Sequence, residues 1–91
     1  MIKIVLTANL QKYYPQREFA MEPGQAATVR EILAKMDQVR PLFTSYVLED
    51  DSTVRRHVNL FLNGKLLPKS EVNTPVKDGD TVHIMQALSG G

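Results

Sequence analysis

The sequence contains no cysteine, which excludes a disulfide framework, a thiolate zinc site and a catalytic thiol within the chain itself. It also has no long apolar run. The opening segment MIKIVLTANL is too short and alternates too regularly for a signal peptide or a membrane span, so we expect a cytoplasmic location and no membrane partner. Basic and acidic residues nearly balance, 11 against 10, and this balance gives no reason to expect a nucleic-acid partner.

Motifs for metal binding and for independent catalysis are missing as well. His57 and His83 lie in different predicted elements without the spacing of a zinc site, and the acidic residues 49–51 lack the ligand spacing of a calcium loop. No Ser-His-acid pattern, glycine-rich phosphate loop or paired-carboxylate motif is evident. We therefore expect no metal site and no enzyme activity of its own. The basic residues 55–57 lack interleaved aromatics, which leaves an acidic partner surface as an alternative reading.

Chain length and composition predict one folded domain. A chain of 91 residues has room for a single core, and 43% hydrophobic with 23% charged residues is typical of a globular protein. Alternation of Ile2, Ile4 and Leu6 with polar neighbours predicts a first strand. Residues 17–21 alternate again after a polar turn, and Pro23-Gly24 ends them, so we predict a β-hairpin.

A helix is predicted to follow this hairpin. Thr28 and Glu31 have the spacing of a capping box, in which each side chain satisfies a backbone donor at the other's position. Pro41 sets the end of the helix. The predicted buried stripe has helical spacing and consists of Val29, Ile32, Leu33 and Met36.

The second half of the chain predicts further strands. Residues 42–57 are read as a partly ordered connection with a solvated acidic turn. Residues 58–62 alternate and run into Asn63-Gly64, which is typical of a tight hairpin with a return strand at residues 65–67. A turn at 78–80 then precedes a last strand at 81–86. Since each element has one apolar face, we predict an α+β fold in which a mixed sheet wraps around one main helix.

This element order and two segments resemble the ThiS/MoaD sulfur-carrier family: HVNLFLNGK, residues 57–65, and TPVKDGDTVHIMQALSGG, residues 74–91. The family has the ubiquitin-like β-grasp fold, a strand ending in Asn-Gly, a Lys-Asp-Gly-Asp turn and a C-terminal Gly-Gly, and all four features occur here in order. The connection of residues 44–57 is longer than expected for compact thiamine-type carriers. The QALSGG ending is more similar to MoaD-like carriers for molybdopterin, cysteine or thiocarboxylate natural products. The resemblance implies a β-grasp domain over residues 1–86 and a flexible Gly-Gly tail over residues 87–91.

The resemblance also implies the chemistry of the tail. A ubiquitin-activating-type adenylyltransferase would use ATP and Mg to adenylate Gly91, and a sulfur donor such as a sulfurtransferase would convert the adenylate to a thiocarboxylate for an acceptor biosynthetic enzyme. The chain itself would bind no cofactor. Glycines have no side chain, so Gly90 and Gly91 can thread a narrow channel. The rest of the threading segment is Ala87, Leu88 and Ser89.

Partner docking is expected on the sheet. Phe61 and Met85 fall on strand faces opposite the predicted core, which makes them candidate contacts for the activating enzyme, although packing against Phe19, Tyr46 or the long connection is the plainer alternative. Two other functions stay open: a ubiquitin-like modifier joined to lysines through Gly91, and a noncovalent interaction module for which the tail is irrelevant.

Overall fold

A computed structural model of the chain describes residues 1–50 and 52–86, and in this part five strands form one mixed sheet. The sheet order is β2-β1-β5-β3-β4; β1 and β5 are parallel, and the other neighbours are antiparallel. The predicted ubiquitin-like β-grasp fold is therefore confirmed. The strands are β1 Ile2–Leu6, β2 Glu18–Met21, β3 Val58–Leu62, β4 Lys65–Leu66 and β5 Thr81–Gln86.

The main helix, α1 (Val29–Val39), packs against one face of this sheet. Its buried residues are the predicted stripe, Val29, Ile32, Leu33 and Met36, and all four are fully buried. Alternate side chains of the central strands meet them, because side chains on a strand point to opposite faces in turn. The sheet residues of this core include Ile2, Ile4, Leu6, Val58, Leu60, Val82 and Ile84.

The start of α1 differs from the predicted capping box in one half. The Thr28 hydroxyl accepts a hydrogen bond from the Glu31 backbone N–H at 3.2 Å, as predicted. The Glu31 carboxylate, however, accepts from the backbone N–H of Ala27 at 2.8 Å rather than from Thr28. Thr28 is extended and bridges to Pro75, so the chain enters the helix from a β-like segment. The extended conformation of Thr28 brings the backbone N–H of Ala27 within hydrogen-bond reach of the Glu31 carboxylate.

Two segments read from the sequence as a turn and a partly ordered connection are in fact structured. Residues Ala8–Tyr13 form a 3-10 helix, and Thr44–Val47 form a short helix, α2. Both contribute to the core through Leu10, Tyr14, Phe43 and Val47. Truncation of a fully buried Phe costs about 3–5 kcal/mol in general, so this second layer contributes substantially to stability.

Aromatic contacts and a hydrogen bond join these added elements to each other and to α1. Tyr13 stacks on Tyr46 with ring centroids 4.1 Å apart, and Tyr14 meets Phe43 edge-on at 5.2 Å. The Asp37 carboxylate of α1 accepts from the Thr44 backbone N–H at 2.7 Å, which satisfies a donor at the start of α2. The longest helix of the described residues has 11 residues, and none of the helices there is long and apolar enough to cross a membrane.

Candidate functional site at the end of the last strand

The last strand occupies the centre of the sheet. β5 pairs with β1 from Thr81 to Ile84 and with β3 as far as the pair Gln86–Val58. The Ile84 carbonyl also accepts the Thr7 backbone N–H at 3.1 Å. The chain is thus paired on both sides up to Ile84 and on the β3 side alone up to Gln86, the last residue before the predicted tail. The predicted tail lies outside the described residues, so its predicted flexibility stays a prediction. It consists of Ala87, Leu88, Ser89, Gly90 and Gly91.

Phe61 and Met85 lie on the sheet face that points away from α1, as predicted from the strand alternation. Phe61 is opposite His83 and Met85 is opposite Asn59, so these four side chains share one face. Phe61 is partly exposed, and Met85 is 40% exposed. The alternative of packing against Phe19 or Tyr46 is not supported, because Phe19 is paired with the buried Ile4 and both aromatic residues pack against the core on the other side of the sheet. The role of Phe61 and Met85 in docking stays a prediction.

The same face carries an apolar residue that the sequence reading missed. Leu66 of β4 is paired with Phe61 and is 53% exposed. On the other side of His83, the partly exposed Val5 of β1 completes a row across the sheet. A two-residue Asn-Gly turn fixes the register of the strands that it joins, so the pairing of Phe61 with Leu66 could have been derived from the sequence. The candidate docking surface therefore includes Leu66 and Val5 in addition to Phe61 and Met85.

The Asn-Gly and Asp-Gly-Asp motifs meet each other at the opposite end of β5. Asn63 and Gly64 have φ of 52° and 84°, as the tight hairpin requires. The Asn63 side-chain amide donates to Asp80 Oδ1 at 2.9 Å, and its Oδ1 accepts the Thr81 backbone N–H at 2.8 Å. These two motifs therefore lie at the opposite end of β5 from Gln86. They fix the start of the strand that leads to the predicted tail.

Asp80 is the centre of this contact and is 5% exposed. Besides Asn63, it accepts the backbone N–H of Lys77 at 2.9 Å, and the Lys77 ammonium lies 3.7 Å from its Oδ1. Hydrogen bonds from Asn63 and from the Lys77 backbone favour the charged form and hold the pKa of Asp80 below its usual value. The carboxylate is a structural anchor between two turns.

Lys69 stabilises the other end, where β5 ends. Its ammonium donates to the Val58 carbonyl and to Asn59 Oδ1, the latter at 3.0 Å. Partial burial lowers the pKa of Lys69, since a low-dielectric environment disfavours its charge. Because Val58 is the partner of Gln86, these contacts support the last residue pair before the tail.

Metal-binding residues do not converge in the described part of the chain. Residues 1–50 and 52–86 contain no group of three or more His, Cys, Asp or Glu side chains that could hold a metal ion. His57 precedes β3, whereas His83 lies within β5. Asp50 is exposed and accepts the Ser52 backbone N–H at 2.8 Å, the geometry of an ordinary polar turn, and this bond lowers the pKa of Asp50.

A comparison with protein-family models identifies a family for this chain. The sequence model of the ThiS family matches residues 4–91, nearly the whole chain and including the two terminal glycines. A comparison with curated proteins found no match.

Solved structures share the fold over the full length. A chain of the Amycolatopsis orientalis BexX/CysO complex has a TM-score of 0.83 at 20% identity, with 100% of both chains covered. Small archaeal modifier protein 1 of Haloferax volcanii has a TM-score of 0.74 at 22% identity, covering 96% of this chain and 97% of that one. Urm1 of Trypanosoma brucei has a TM-score of 0.77 at 14% identity, covering 99% and 94%. At these identities the likeness shows the fold alone.

Proposed function

This chain belongs to the ThiS family of small sulfur-carrier proteins, and from that membership we propose that it carries sulfur on the carboxyl group of Gly91. The observation that carries the proposal is the family match itself, which extends through Gly90 and Gly91. The structure supports it in one respect: the strand that leads to these glycines is paired with β1 up to Ile84 and with β3 up to Gln86. A firmly held strand next to a glycine pair suits the delivery of a terminal group into a partner.

The first step of the proposed cycle is activation by a partner enzyme. An α-carboxyl group, with a reference pKa of about 3.3–3.7, is ionised at neutral pH and is a poor electrophile. A ubiquitin-activating-type adenylyltransferase would join the Gly91 carboxylate to AMP with loss of pyrophosphate from Mg-bound ATP. The chain would hold neither ATP nor Mg itself and would act as a cosubstrate in the cytoplasm.

The second step is sulfur loading. The persulfide of a sulfur donor such as a sulfurtransferase would attack the acyl carbon and displace AMP, which gives an acyl disulfide. A second thiol of the donor would then cleave the S–S bond, leaving a thiocarboxylate on Gly91 and a disulfide on the donor. The tethered sulfur would then be presented to an acceptor biosynthetic enzyme at high effective concentration when the domain docks. Molybdopterin, cysteine, thiamine and related thioacid pathways are the candidate destinations. The BexX/CysO complex supports a carrier that works by docking to a partner enzyme.

Deletion of Gly91 tests this proposal. We expect ATP–pyrophosphate exchange by the activating enzyme, and formation of the thiocarboxylate, to be lost. The unfolding midpoint should stay unchanged, because removal of one terminal residue disturbs little packing. The matched control is Gly24→Ala, a glycine change at a site where a Cβ meets nothing within 4 Å, and it should retain full exchange.

Intact-protein mass spectrometry provides the product test. A fraction of the protein from native cells should carry a mass increase equal to the replacement of one oxygen by sulfur. Continued sulfur transfer by the Gly91 deletion variant would refute the mechanism, and so would a consistent absence of the thiocarboxylate while the pathway is active.

A second candidate is a ubiquitin-like protein modifier, supported by the structural likeness to small archaeal modifier protein 1. Both functions would share the adenylate of Gly91. They differ in the product, because a modifier forms an amide with a target lysine. Proteomic digestion designed to reveal Gly-Gly remnants on lysines separates them: adducts identify a modifier, and a free thiocarboxylate without adducts identifies a pure carrier.

A further inference from the structure

Basic side chains gather at the end of the sheet where β5 ends. Arg55, Arg56 and His57 immediately precede Val58, the partner of Gln86. Lys69 bonds to the first residues of β3 at the same end. The Arg17 carbonyl accepts the Leu6 N–H at the end of β1, and the 3-10 helix that carries Lys12 packs beside β5. We call this set the basic end: Lys12, Arg17, Arg55, Arg56, His57 and Lys69.

Some acidic residues at the described positions adjoin the basic end. Leu48, next to Glu49, bridges to Val54, next to Arg55, and Glu71 follows Lys69 by two residues. Glu18, which follows Arg17, forms an ion pair with Lys3 at 3.1 Å. Glu49 and Asp50 line a shallow groove of about 310 Å³ beside α1, together with Asp37 and Arg30. Asp78 and Asp80 occupy the turn before β5, at the far end of the strand. Five of the 11 lysines and arginines thus lie at one end of a chain whose net charge is only +1.

The basic end combines fixed and exposed cations. Arg55 Nε donates to the Ser45 carbonyl at 2.7 Å, and Lys69 is held by β3, so two charges have set positions. Lys12, Arg17 and Arg56 are exposed, and none of them forms an ion pair with another described residue. Among the described residues, the charges of Lys12, Arg17 and Arg56 are therefore presented to solvent without an acidic ion-pair partner.

We propose that the basic end docks against an acidic protein surface, formed by Asp and Glu side chains, around the entrance that receives the tail. The inference rests on the proposed function, because the enzyme that activates Gly91 must approach the end of β5. Complementary charge at this entrance accelerates the encounter and orients the tail toward it. A nucleic-acid partner is the weaker alternative, because proteins bind single strands by stacking bases on aromatic rings. Tyr13 and Tyr46, in the two neighbouring helices, stack on each other, so each covers one ring face of the other.

Charge reversal tests the proposal in the intact chain with its activating enzyme. The variants are Arg56→Glu and the double variant Lys12→Glu/Arg56→Glu, and the control is Lys65→Glu, the same charge change on exposed β4 near the start of β5. For the double variant we expect the KM for the chain in ATP–pyrophosphate exchange to rise about 10-fold at low salt with kcat unchanged, because steering acts on association. The effect should fall below about twofold near 0.5 M salt, where surface charges are screened.

The outcomes separate this surface from the carrier function. The proposed docking role of the basic end would be overturned if the KM were equal for the double variant, the Lys65→Glu control and the unaltered chain. The carrier function would stand if exchange and thiocarboxylate formation were intact in all three. Absence of exchange with the unaltered chain would overturn both. Unchanged KM values together with loss of binding to a short single-stranded RNA probe would replace the protein partner by nucleic acid. The unfolding midpoints of all variants show whether a loss of folding contributes to any change in KM.

Discussion

At the scale of single residues, Asp80 shows how two separate sequence motifs become one structural feature. The sequence predicts the Asn63-Gly64 turn and the Asp78-Gly79-Asp80 turn independently, and the positive φ of Asn63, Gly64 and Gly79 confirms the local chemistry of both. It does not predict the hydrogen bond between them. Asn63 and Asp80 are 17 positions apart, and only the antiparallel pairing of β3 with β5 brings them together.

Replacement of Asp80 with Asn tests this anchor through pH. The folded-state pKa of Asp80 is lowered, so its stabilising contribution is fully present above the unfolded-state pKa, about 3.9, and is lost as pH falls through the folded pKa. At neutral pH we expect Asp80→Asn to lower the free energy of unfolding by about 1–2 kcal/mol. Urea unfolding of both proteins between neutral and acidic pH measures the difference.

Below pH of about 4 the difference between Asp80→Asn and the unaltered chain should shrink, because protonation removes the same charge. Glu49→Gln serves as a control, since it neutralises an exposed carboxylate in the connection before β3. A destabilisation by Asp80→Asn that is constant down to the lowest pH would contradict an electrostatic role for this carboxylate.

At the scale of elements, the sequence predicts the helices and strands whose apolar residues recur with a clear period. It does not predict elements whose buried residues show no such period. Four apolar residues at helical spacing identify α1, and alternation identifies β1, β3 and β5. The four residues of α2 are too few to show a helical period, and such a short helix forms only through tertiary packing. Phe43 and Val47 are buried because the 3-10 helix and α1 surround them, which no local pattern records.

The tight turn between β3 and β4 gives a prediction about backbone conformation. Gly64 has φ of 84°, and a Cβ there would meet nothing within 4 Å, so any cost of Gly64→Ala comes from the backbone alone. We expect a loss of about 1 kcal/mol in the free energy of unfolding. Gly24 has equal space but no positive φ, so Gly24→Ala should be neutral or slightly stabilising. Equal effects of the two substitutions in chemical denaturation would contradict this reading.

At the scale of the whole molecule, the sheet has one face that forms the core and one face that presents apolar side chains outward. One face packs on α1, and the other presents Phe61, Leu66 and Met85. Strand alternation was sufficient to predict the outward direction of Phe61 and Met85. Leu66 was missed because β4 has only two residues and shows no alternation of its own. The tail could be predicted as a functional group only from its glycines and the family resemblance.

The outer face gives a prediction that separates binding from folding. We expect Phe61→Ser/Met85→Ser to raise the KM for the chain in ATP–pyrophosphate exchange about 10-fold or more, since apolar contacts at an interface centre each contribute about 1–2 kcal/mol. The free energy of unfolding should change little, because neither side chain belongs to the core. The control is Leu42→Ser, which removes an apolar side chain that is 74% exposed and lies outside the sheet. Normal KM with the double variant would exclude this face from docking.

The central position of β5 also has a mechanical consequence. Under the proposed function, a partner that pulled on Gly91 would load β5 along its axis, and the hydrogen bonds of β5 to β1 and β3 run across the strand. The force would therefore be shared by the hydrogen bonds of both strand pairs at once. In a strand peeled from the edge of a sheet, these bonds would break one after another. Under the proposed function, the domain would therefore withstand a pull on its C-terminus without unfolding, as repeated loading and unloading would require.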